Sequence, residues 1–332
     1  MDAELRIGDQ VKSANVSILP LVSTEEDRLG TLLMIEDTST EKRMKSTMSR
    51  HMDPTIADQL LAEGEDVLGG RSIEATVFFS DIRGYTTLTE PLTPQAVVSL
   101  MNEYFTLMVE HITREEGMLD KFIGDAIMAA FGVPVPHDDD EDRAVRCAIG
   151  MIRELIAWNA VRSKTGGAPI EIGIGLNTDT VVSGNIGSPK RMDYTLLGDG
   201  VNLASRLEAA NKEYSSRILI SENTVKGLKG TYRLRDIDDV IVKGKTKAVR
   251  IYEVLDYHTD ESFPSLMDVV GNFAEGREAY RLGDWDKARG SFETCLSLHP
   301  SDALSKTYLD RIVRLRQEAP SDWDGGWVMK TK

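Results

Sequence analysis

Two apolar stretches of this sequence each lead into an aspartate, and both have the residue pattern of β-strands. The first, EATVFFSDI, runs from Glu74 to Ile82 and carries Asp81 near its end. It predicts a buried strand that runs into a turn. The second, MLDKFIGDAIMAAF, spans residues 118–131 and predicts a hairpin with Gly124 and Asp125 at its turn. The chain is therefore expected to place a carboxylate at the end of each of these elements.

Two carboxylates in such positions are suited to hold divalent cations over a phosphate-bearing substrate. Mg²⁺ needs one or two carboxylates from the protein, and substrate phosphates supply further oxygens. Gly84 follows Asp81 and opens a predicted helix whose N-terminal amides are suited to receive phosphate oxygens. The structural alternative is that Asp81 caps this helix and that Asp125 is an ordinary turn residue.

Around these motifs, predicted strands and helices alternate along the chain. The predicted strands are 74–82, 117–123, 126–131, 169–177, 180–187, 217–221, 231–243 and 248–257, and the predicted helices are 94–115, 139–161, 200–213 and 222–228. Helical spacing of apolar residues supports the two long helices. This order predicts an α+β fold of the ferredoxin-like kind, with a mixed sheet and flanking helices.

Composition narrows the class of protein. The net charge of −15 argues against a nucleic-acid partner or an anionic membrane surface, because both need basic patches. No apolar run approaches the roughly 20 residues that a membrane span needs, so a cytoplasmic protein without a membrane span is expected. Cys147 and Cys295 lie far apart and lack metal-ligand spacing, which favours reduced thiols.

A third motif joins the two aspartates. In YTLLGDGVNLASRLEAANK, Asn202 and Arg206 are four residues apart and share one helix face. With these three motifs in this order and spacing, residues 69–256 resemble the class III nucleotidyl cyclases. Within that family the chain most resembles the bacterial and cyanobacterial adenylyl cyclases, which implies the same ferredoxin-like architecture.

The resemblance implies a reaction and a role for each motif residue. The reaction is conversion of ATP to 3′,5′-cyclic AMP and pyrophosphate with two divalent cations, either Mg²⁺ or Mn²⁺. Asp81, Asp125 and the Ile82 carbonyl are the implied metal ligands, and Asn202 and Arg206 are the implied catalytic residues, for ribose orientation and α-phosphoryl charge. The implied phosphate contacts are Gly84, Tyr85, Thr86 and Lys243.

Two positions bear on the choice of nucleotide. Adenylyl cyclases resembling this chain read adenine with a Lys and with an Asp or Thr, where guanylyl cyclases carry Glu and Cys; these positions are Lys121 and Thr195. A lysine donates to adenine N1, and a threonine hydroxyl can accept from the N6 amine. A threonine in place of aspartate at this position also resembles the subgroup of these enzymes that bicarbonate stimulates. Bicarbonate is therefore a candidate activator. The alternatives are a guanylyl cyclase and a catalytically silent dimerisation module.

The family architecture further implies a site shared between two chains. The metal carboxylates come from one protomer, and Lys121, Thr195, Asn202, Arg206 and Lys243 come from the other. This chain carries both sets. A head-to-tail homodimer with two equivalent sites is therefore the expected active form.

The flanking segments predict a regulated enzyme. Residues 1–43 resemble the closing strands of a PAS-like or GAF-like sensor domain, so an upstream sensor is an expected partner of the catalytic domain at 69–257. Residues 44–68 predict a helical connector, either a dimeric coiled coil or a helix that packs on its own domain. Residues 258–332 resemble a tetratricopeptide-like helical hairpin with a tail, which must bury its apolar face on the cyclase domain, a partner or a second copy.

Overall fold

The computed structural model separates the chain into two compact units, Met1–Val67 and Leu68–Lys332. The structure describes residues 2–7, 10–22, 28–38, 70–188, 191–241, 248–317 and 323. In the first unit, β1 (Asp2–Ile7), β2 (Gln10–Val22) and β3 (Arg28–Asp37) form an antiparallel sheet in that order. The predicted connector at 44–68 lies outside the described residues.

The second unit is built on a mixed sheet of eight strands among its described residues. These strands are β4 (Arg71–Ile82), β5 (Met118–Ile123), β6 (Ala126–Phe131), β7 (Ile172–Ser188), β8 (Arg191–Leu197), β9 (Ile218–Ser221), β10 (Leu234–Ile241) and β11 (Ala248–Val254). Their order is β10-β11-β9-β7-β4-β6-β5, with β8 paired to β7. Only β7 and β9 pair in parallel among these neighbours.

Helices cover this sheet. They are α1 (Tyr85–Thr89), α2 (Pro94–Arg114), α3 (Asp140–Ser163), α4 (Asp199–Tyr214), α5 (Glu222–Gly227), α6 (Leu266–Arg281), α7 (Trp285–Leu298) and α8 (Ala303–Gln317). At the start of α2, Thr93 accepts a hydrogen bond from the Ala96 amide at 3.3 Å, and Pro94 occupies the first helical position. This is a favourable helix start, because proline has no amide hydrogen to leave unpaired there.

Two apolar cores lie on opposite faces of the sheet. Strand β9 shows this directly, because Ile218 and Ile220 pack with α2 and α3 whereas Leu219 packs with α4 and the C-terminal helices. Successive strand residues point to opposite faces. Strand β4 lies between β6 and β7, and its Phe78 is fully buried. The α+β prediction with flanking helices is confirmed.

One predicted break in the sheet is wrong. Residues 177–179 were expected to separate two strands, but β7 runs through them without interruption. Polar groups there form hydrogen bonds to distant parts of the fold. Asn177 donates to the Gly200 carbonyl at 3.0 Å, and the Thr178 amide donates to the Thr224 hydroxyl at 3.0 Å. Strand β8, which pairs with the far half of β7, was not predicted.

The C-terminal helices pack on the β10–β11 end of the sheet. The predicted hairpin corresponds to α6 and α7, and α8 follows it. Tyr280, Phe292 and Tyr308 share a core with Leu207 and Tyr214 of α4. Their apolar face is therefore buried against α4 and the sheet of the same chain.

A buried ion network reinforces this junction. The Arg235 guanidinium lies 2.6 Å from Glu253 on the neighbouring strand and 2.8 Å from Asp302, which precedes α8. All three side chains are at most 5 % exposed. Removing one partner of such a network leaves an uncompensated buried charge, so the network makes the C-terminal helices an integral part of the unit.

Candidate active site

Asp81 lies next to the last residue of strand β4. Asp81 is half-buried, and its carboxylate accepts a hydrogen bond from the Ile82 amide at 3.1 Å. Its cross-strand partner is Gly173 of β7. Paired residues share a sheet face, so Asp81 and Gly173 lie together, on the opposite face from Phe78 and Ile82.

The hairpin turn between β5 and β6 brings Asp125 to the same place. Gly124 in this turn has a φ of 66°, in the left-handed region that a residue without a side chain adopts readily. Burial, followed by the negative charge of Asp125, raises the pKa of Asp81 to about 6. The two aspartates that the sequence singled out are therefore neighbours whose charges repel.

This pair suits a divalent cation, because a cation would relieve the repulsion between Asp81 and Asp125. Within the described ranges, no group of three or more His, Cys, Asp and Glu side chains is arranged to hold a metal ion. The protein's own ligand set at this site would thus be two carboxylates with a backbone carbonyl. Such a set is typical of Mg²⁺ sites that take their remaining ligands from substrate phosphates and water.

A third carboxylate, Glu208, faces this pair and was not predicted. Burial raises its pKa to about 7, the charges of Asp81 and Asp125 add to the rise, and the nearby Arg83 guanidinium opposes it. A Cβ atom at Gly173 would lie 2.3 Å from Arg83 Nη2 and 2.7 Å from Glu208 Oε1. Because Gly173 has no side chain, the end of the Arg83 side chain and the Glu208 carboxylate can both occupy the space next to it. Glycine within an apolar strand was the sequence signal for such a close approach.

Helix α4 presents two different faces. Its backbone lies directly on β7, since a Cβ at Gly175 would be 2.2 Å from the Glu208 amide nitrogen and 2.3 Å from the Ala204 oxygen. Asn202 and Arg206 are exposed, as predicted for one shared face. Glu208 follows Arg206 by two positions, which is about 200° around a helix. Arg206 is thus turned away from the side of α4 that meets Asp81.

Lys121 and Thr195 converge on one buried carboxylate. The Thr195 hydroxyl donates to Asp120 Oδ2 at 2.6 Å, and Lys121 Nζ lies 3.2 Å from Asp120 Oδ1. The Asp120 side chain is fully buried, with 0 % exposure. The structure therefore brings the two predicted base-reading residues together through a residue that was not predicted.

The predicted phosphate contacts follow Asp81 along the chain. Gly84 has a φ of 63° in the left-handed region and precedes α1. The predicted helix after Gly84 is thereby confirmed but is short, with five residues, and α2 begins separately after a turn. Tyr85 is partly buried and Thr86 is exposed. Lys243 lies outside the described residues.

Comparison with known proteins identifies the family. The family model described as the adenylate and guanylate cyclase catalytic domain matches residues 70–255. The chain belongs to this cyclase family. The predicted resemblance is thus confirmed, and the matched range contains Asp81, Asp125, Asn202 and Arg206.

Curated relatives of this cyclase are named adenylate cyclases. It is 36 % identical over 284 residues to the terminal-differentiation specific adenylate cyclase of Dictyostelium discoideum, covering 82 % of this chain and 13 % of that protein. It is 43 % identical over 186 residues to an adenylate cyclase of Anabaena cylindrica, covering 54 % of this chain and 36 % of the relative. The cyclase therefore spans only a minor part of the length of these relatives.

Solved structures similar to this cyclase include both nucleotide classes. The adenylyl cyclase CyaB from P. aeruginosa matches with a TM-score of 0.54 and 39 % identity, over 58 % of this chain and 99 % of that one. The guanylyl cyclase Cya2 matches with a TM-score of 0.53 and 38 % identity, over 56 % and 94 %. Overall similarity therefore does not separate ATP from GTP. No helix in the described part of the cyclase is long and apolar enough to cross a membrane.

Proposed function

We propose that this chain is an adenylyl cyclase that converts ATP to 3′,5′-cyclic AMP and pyrophosphate at a homodimer interface. The observation that carries the proposal is the juxtaposition of Asp81 and Asp125. Burial and the negative charge of Asp125 raise the pKa of Asp81, and both residues lie in the matched cyclase-family domain. Two carboxylates that repel each other at the end of neighbouring strands favour the binding of a divalent cation. A nucleoside triphosphate would supply the remaining ligands.

Each predicted residue has a place in this reaction. Asp81, Asp125 and the Ile82 carbonyl would hold two divalent cations, Mg²⁺ or Mn²⁺. When bound, the cations supply activation of the ribose 3′-hydroxyl and charge neutralisation on pyrophosphate. The remaining roles are phosphate binding by Gly84, Tyr85, Thr86 and Lys243, ribose orientation by Asn202, and stabilisation of α-phosphoryl charge by Arg206.

The two faces of α4 support a site built from two chains. Glu208 faces the carboxylates of its own chain, whereas Asn202 and Arg206 are exposed on the other side of the helix. In a head-to-tail homodimer these exposed residues would serve the metal pair of the partner subunit. Each dimer would then contain two equivalent sites.

The base-reading residues favour adenine. Lys121 can only donate, which matches the N1 acceptor of adenine and not the N1–H and N2 donors of guanine. Thr195 would accept from the N6 amine. The guanylyl cyclase alternative has the similarity to Cya2 in its favour. Against this alternative, the chain carries Lys121 and Thr195 at the two base-reading positions and therefore has no acidic side chain there to accept from guanine.

The first experiment measures the reaction directly. Purified protein is incubated with ATP or GTP and with Mg²⁺ or Mn²⁺, and the product is identified by mass spectrometry. Cyclic AMP with release of pyrophosphate is expected. Absence of any cyclic nucleotide would refute the proposal in favour of a silent dimerisation module, and cyclic GMP as the main product would favour the guanylyl cyclase alternative. Added bicarbonate at constant pH tests the candidate activator in the same assay.

A complementation experiment tests the shared site. Asp81→Ala and Arg206→Ala homodimers should each be nearly inactive, because each change destroys both sites. Co-expressed, about half of the dimers are mixed, and each mixed dimer has one intact site, so activity should recover toward ~25 % of wild type if the sites act independently.

A matched control comes from one side of the site. Asp81→Ala co-expressed with Asp125→Ala should not recover, because both changes fall on the metal-bearing side of the interface. No recovery for Asp81→Ala with Arg206→Ala in verified heterodimers would show that the residues of one site come from one chain.

A further inference from the structure

Asp120 lies in the middle of β5, next to Lys121, and its side chain contacts Thr195 of β8. Its side chain is fully buried, yet it belongs neither to the metal pair nor to the ion network under the C-terminal helices. Burying a carboxylate is costly unless hydrogen bonds and opposite charge compensate for it. Here a hydroxyl at 2.6 Å and the positive charge of an ammonium group at 3.2 Å offset part of this cost, although burial still raises the pKa of the Asp120 carboxyl on balance.

An irregularity in the strand explains how Asp120 reaches these partners. In the β5–β6 ladder, Leu119 pairs with Ala129 and Lys121 pairs with Met128, so Asp120 is an extra residue in a β-bulge. Neighbouring side chains of a regular strand point to opposite faces. A bulge re-aims one of them, and such bulges are frequent next to active sites. The bulge thus lets Asp120 and Lys121 interact as adjacent residues.

The contact with Thr195 has a direction. An ionised carboxylate accepts hydrogen bonds and has no proton to donate. The Thr195 hydroxyl must therefore donate its single hydrogen to Asp120. Only the lone pairs of the Thr195 oxygen are left for a ligand, so this side chain is an acceptor toward whatever lies in front of it.

We propose that Asp120 is a positioning residue that determines base specificity, because it makes Thr195 an obligatory hydrogen-bond acceptor. An amino group at purine C6 donates to such an oxygen, whereas an oxo group at C6 meets it lone pair to lone pair. The inference rests on the proposed function, in which Lys121 and Thr195 contact the base. It adds that discrimination at C6 depends on a residue that never touches the nucleotide.

A purely structural role for Asp120, as a tie between β5 and β8, predicts a different result. Loss of the tie would lower the turnover of every nucleotide by a similar factor. Loss of hydrogen-bond direction would instead change the ratio between two nucleotides. The ratio of kcat/KM values for ATP and inosine triphosphate reports on this effect, because the two bases carry amino and oxo groups at C6 and neither has a 2-amino group. Inosine also carries a proton at N1, which faces Lys121, so the Thr195→Val background is needed to separate a change at C6 from a change at N1.

The test compares Asp120→Asn with wild type. The amide of asparagine can donate to the Thr195 oxygen, which frees the hydroxyl proton for an oxo group. We expect the ATP to inosine triphosphate ratio to fall by ~10-fold, since one hydrogen bond to an uncharged group contributes about 1 kcal/mol and its loss in a buried site more. The change should appear mainly in KM. Asp268→Asn, at an exposed position on α6, is the matched control and should keep the wild-type ratio.

A second arm works at Thr195. Thr195→Ser keeps the hydroxyl and should keep most of the ratio, whereas the isosteric Thr195→Val should lower it. In the Thr195→Val background, Asp120→Asn should cause no further change in the ratio. Thr195→Ser and Thr195→Val both keep the Asp120 carboxylate, so they test the inference even if Asp120→Asn does not fold.

Two results would overturn the inference while leaving the adenylyl cyclase proposal intact. One is an unchanged ratio in folded Asp120→Asn, and the other is an equal fall in the ratio with and without the Thr195 hydroxyl. A wild-type enzyme that fails to make cyclic AMP would instead refute the proposed function, before any variant is compared.

Discussion

Replacing Asp81 with asparagine should stabilise the metal-free protein and at the same time abolish its response to Mg²⁺. The folded protein raises the pKa of Asp81 from 3.8 to about 6 through burial and the charge of Asp125. An acid whose pKa is raised by folding favours the folded state at low pH. This contribution is lost as pH rises from about 4 through 6, so the ionised carboxylate opposes folding at neutral pH. Asparagine removes that penalty.

The magnitude follows from the shift. A change of about 2 pKa units corresponds to about 3 kcal/mol at about 1.4 kcal/mol per unit. Because Asp81 is only half-buried, water screens its interactions, and we expect ~1 to 2 kcal/mol. For a unit of this size, ~1 to 2 kcal/mol corresponds to a rise of about 3 to 6 °C in Tm. Saturating Mg²⁺ acts the other way, adding about 2.7 kcal/mol to wild type at one hundred times its Kd.

Thermal unfolding followed by circular dichroism tests this prediction between pH 4 and 8, with EDTA or with Mg²⁺. In EDTA, Asp81→Asn should match wild type near pH 4 and exceed its Tm above pH 7. Glu208→Gln should show the same trend over a window from about pH 4.5 to about pH 7, which the raised pKa of Glu208 sets. Exposed Asp268→Asn is the control. A Tm for Asp81→Asn at or below wild type in EDTA at pH 8 would refute the reasoning, as would a difference that does not depend on pH.

Three further predictions concern packing, ion pairing and specificity. Gly175→Ala should lower the free energy of unfolding by ~1 to 3 kcal/mol and reduce activity, because its Cβ would meet the backbone of α4; unchanged denaturation and activity would contradict this packing. Arg235→Ala should lower the free energy of unfolding by ~3 to 5 kcal/mol in urea denaturation, because it leaves the buried carboxylates of Glu253 and Asp302 without their opposite charge, whereas Arg289→Ala, on the surface of α7, should leave it unchanged. Lys121→Glu with Thr195→Cys should lower the ATP to GTP ratio of kcat/KM by ~10-fold or more; an unchanged ratio would show that other residues read the base.

Local pattern was sufficient for the elements that surround the site. The apolar run into Asp81 became β4, and the Gly124–Asp125 pair became the turn of the predicted hairpin. The long helix predicted at 94–115 is present as Pro94–Arg114. These predictions succeed because strand and helix periods, turn glycines and helix starts act between near neighbours in the chain. They needed no knowledge of what packs against each element.

The uninterrupted course of β7 was not predictable in the same way. Asn177 and Thr178 have the composition of a turn, yet they form hydrogen bonds with Gly200 and Thr224 in distant parts of the chain. Tertiary hydrogen bonds here override local propensity. For the same reason, no strand was predicted at residues 191–197, since they form β8 only by pairing with the far half of β7.

The sequence by itself determined the chemical types at the site: two carboxylates at element ends, a lysine and a threonine with opposite hydrogen-bonding character, and an exposed Asn and Arg on one helix face. Tertiary structure decided which further groups join them. Glu208 lies close enough to Asp81 for their charges to interact, because Gly173 and Gly175 let α4 lie on β7. Asp120 accepts a hydrogen bond from Thr195, 75 positions away, beside a bulge in β5. Burial and the direction of a hydrogen bond depend on what lies across the fold. For that reason the pKa of Asp81 and the acceptor character of Thr195 belong to the folded chain and not to the order of its residues.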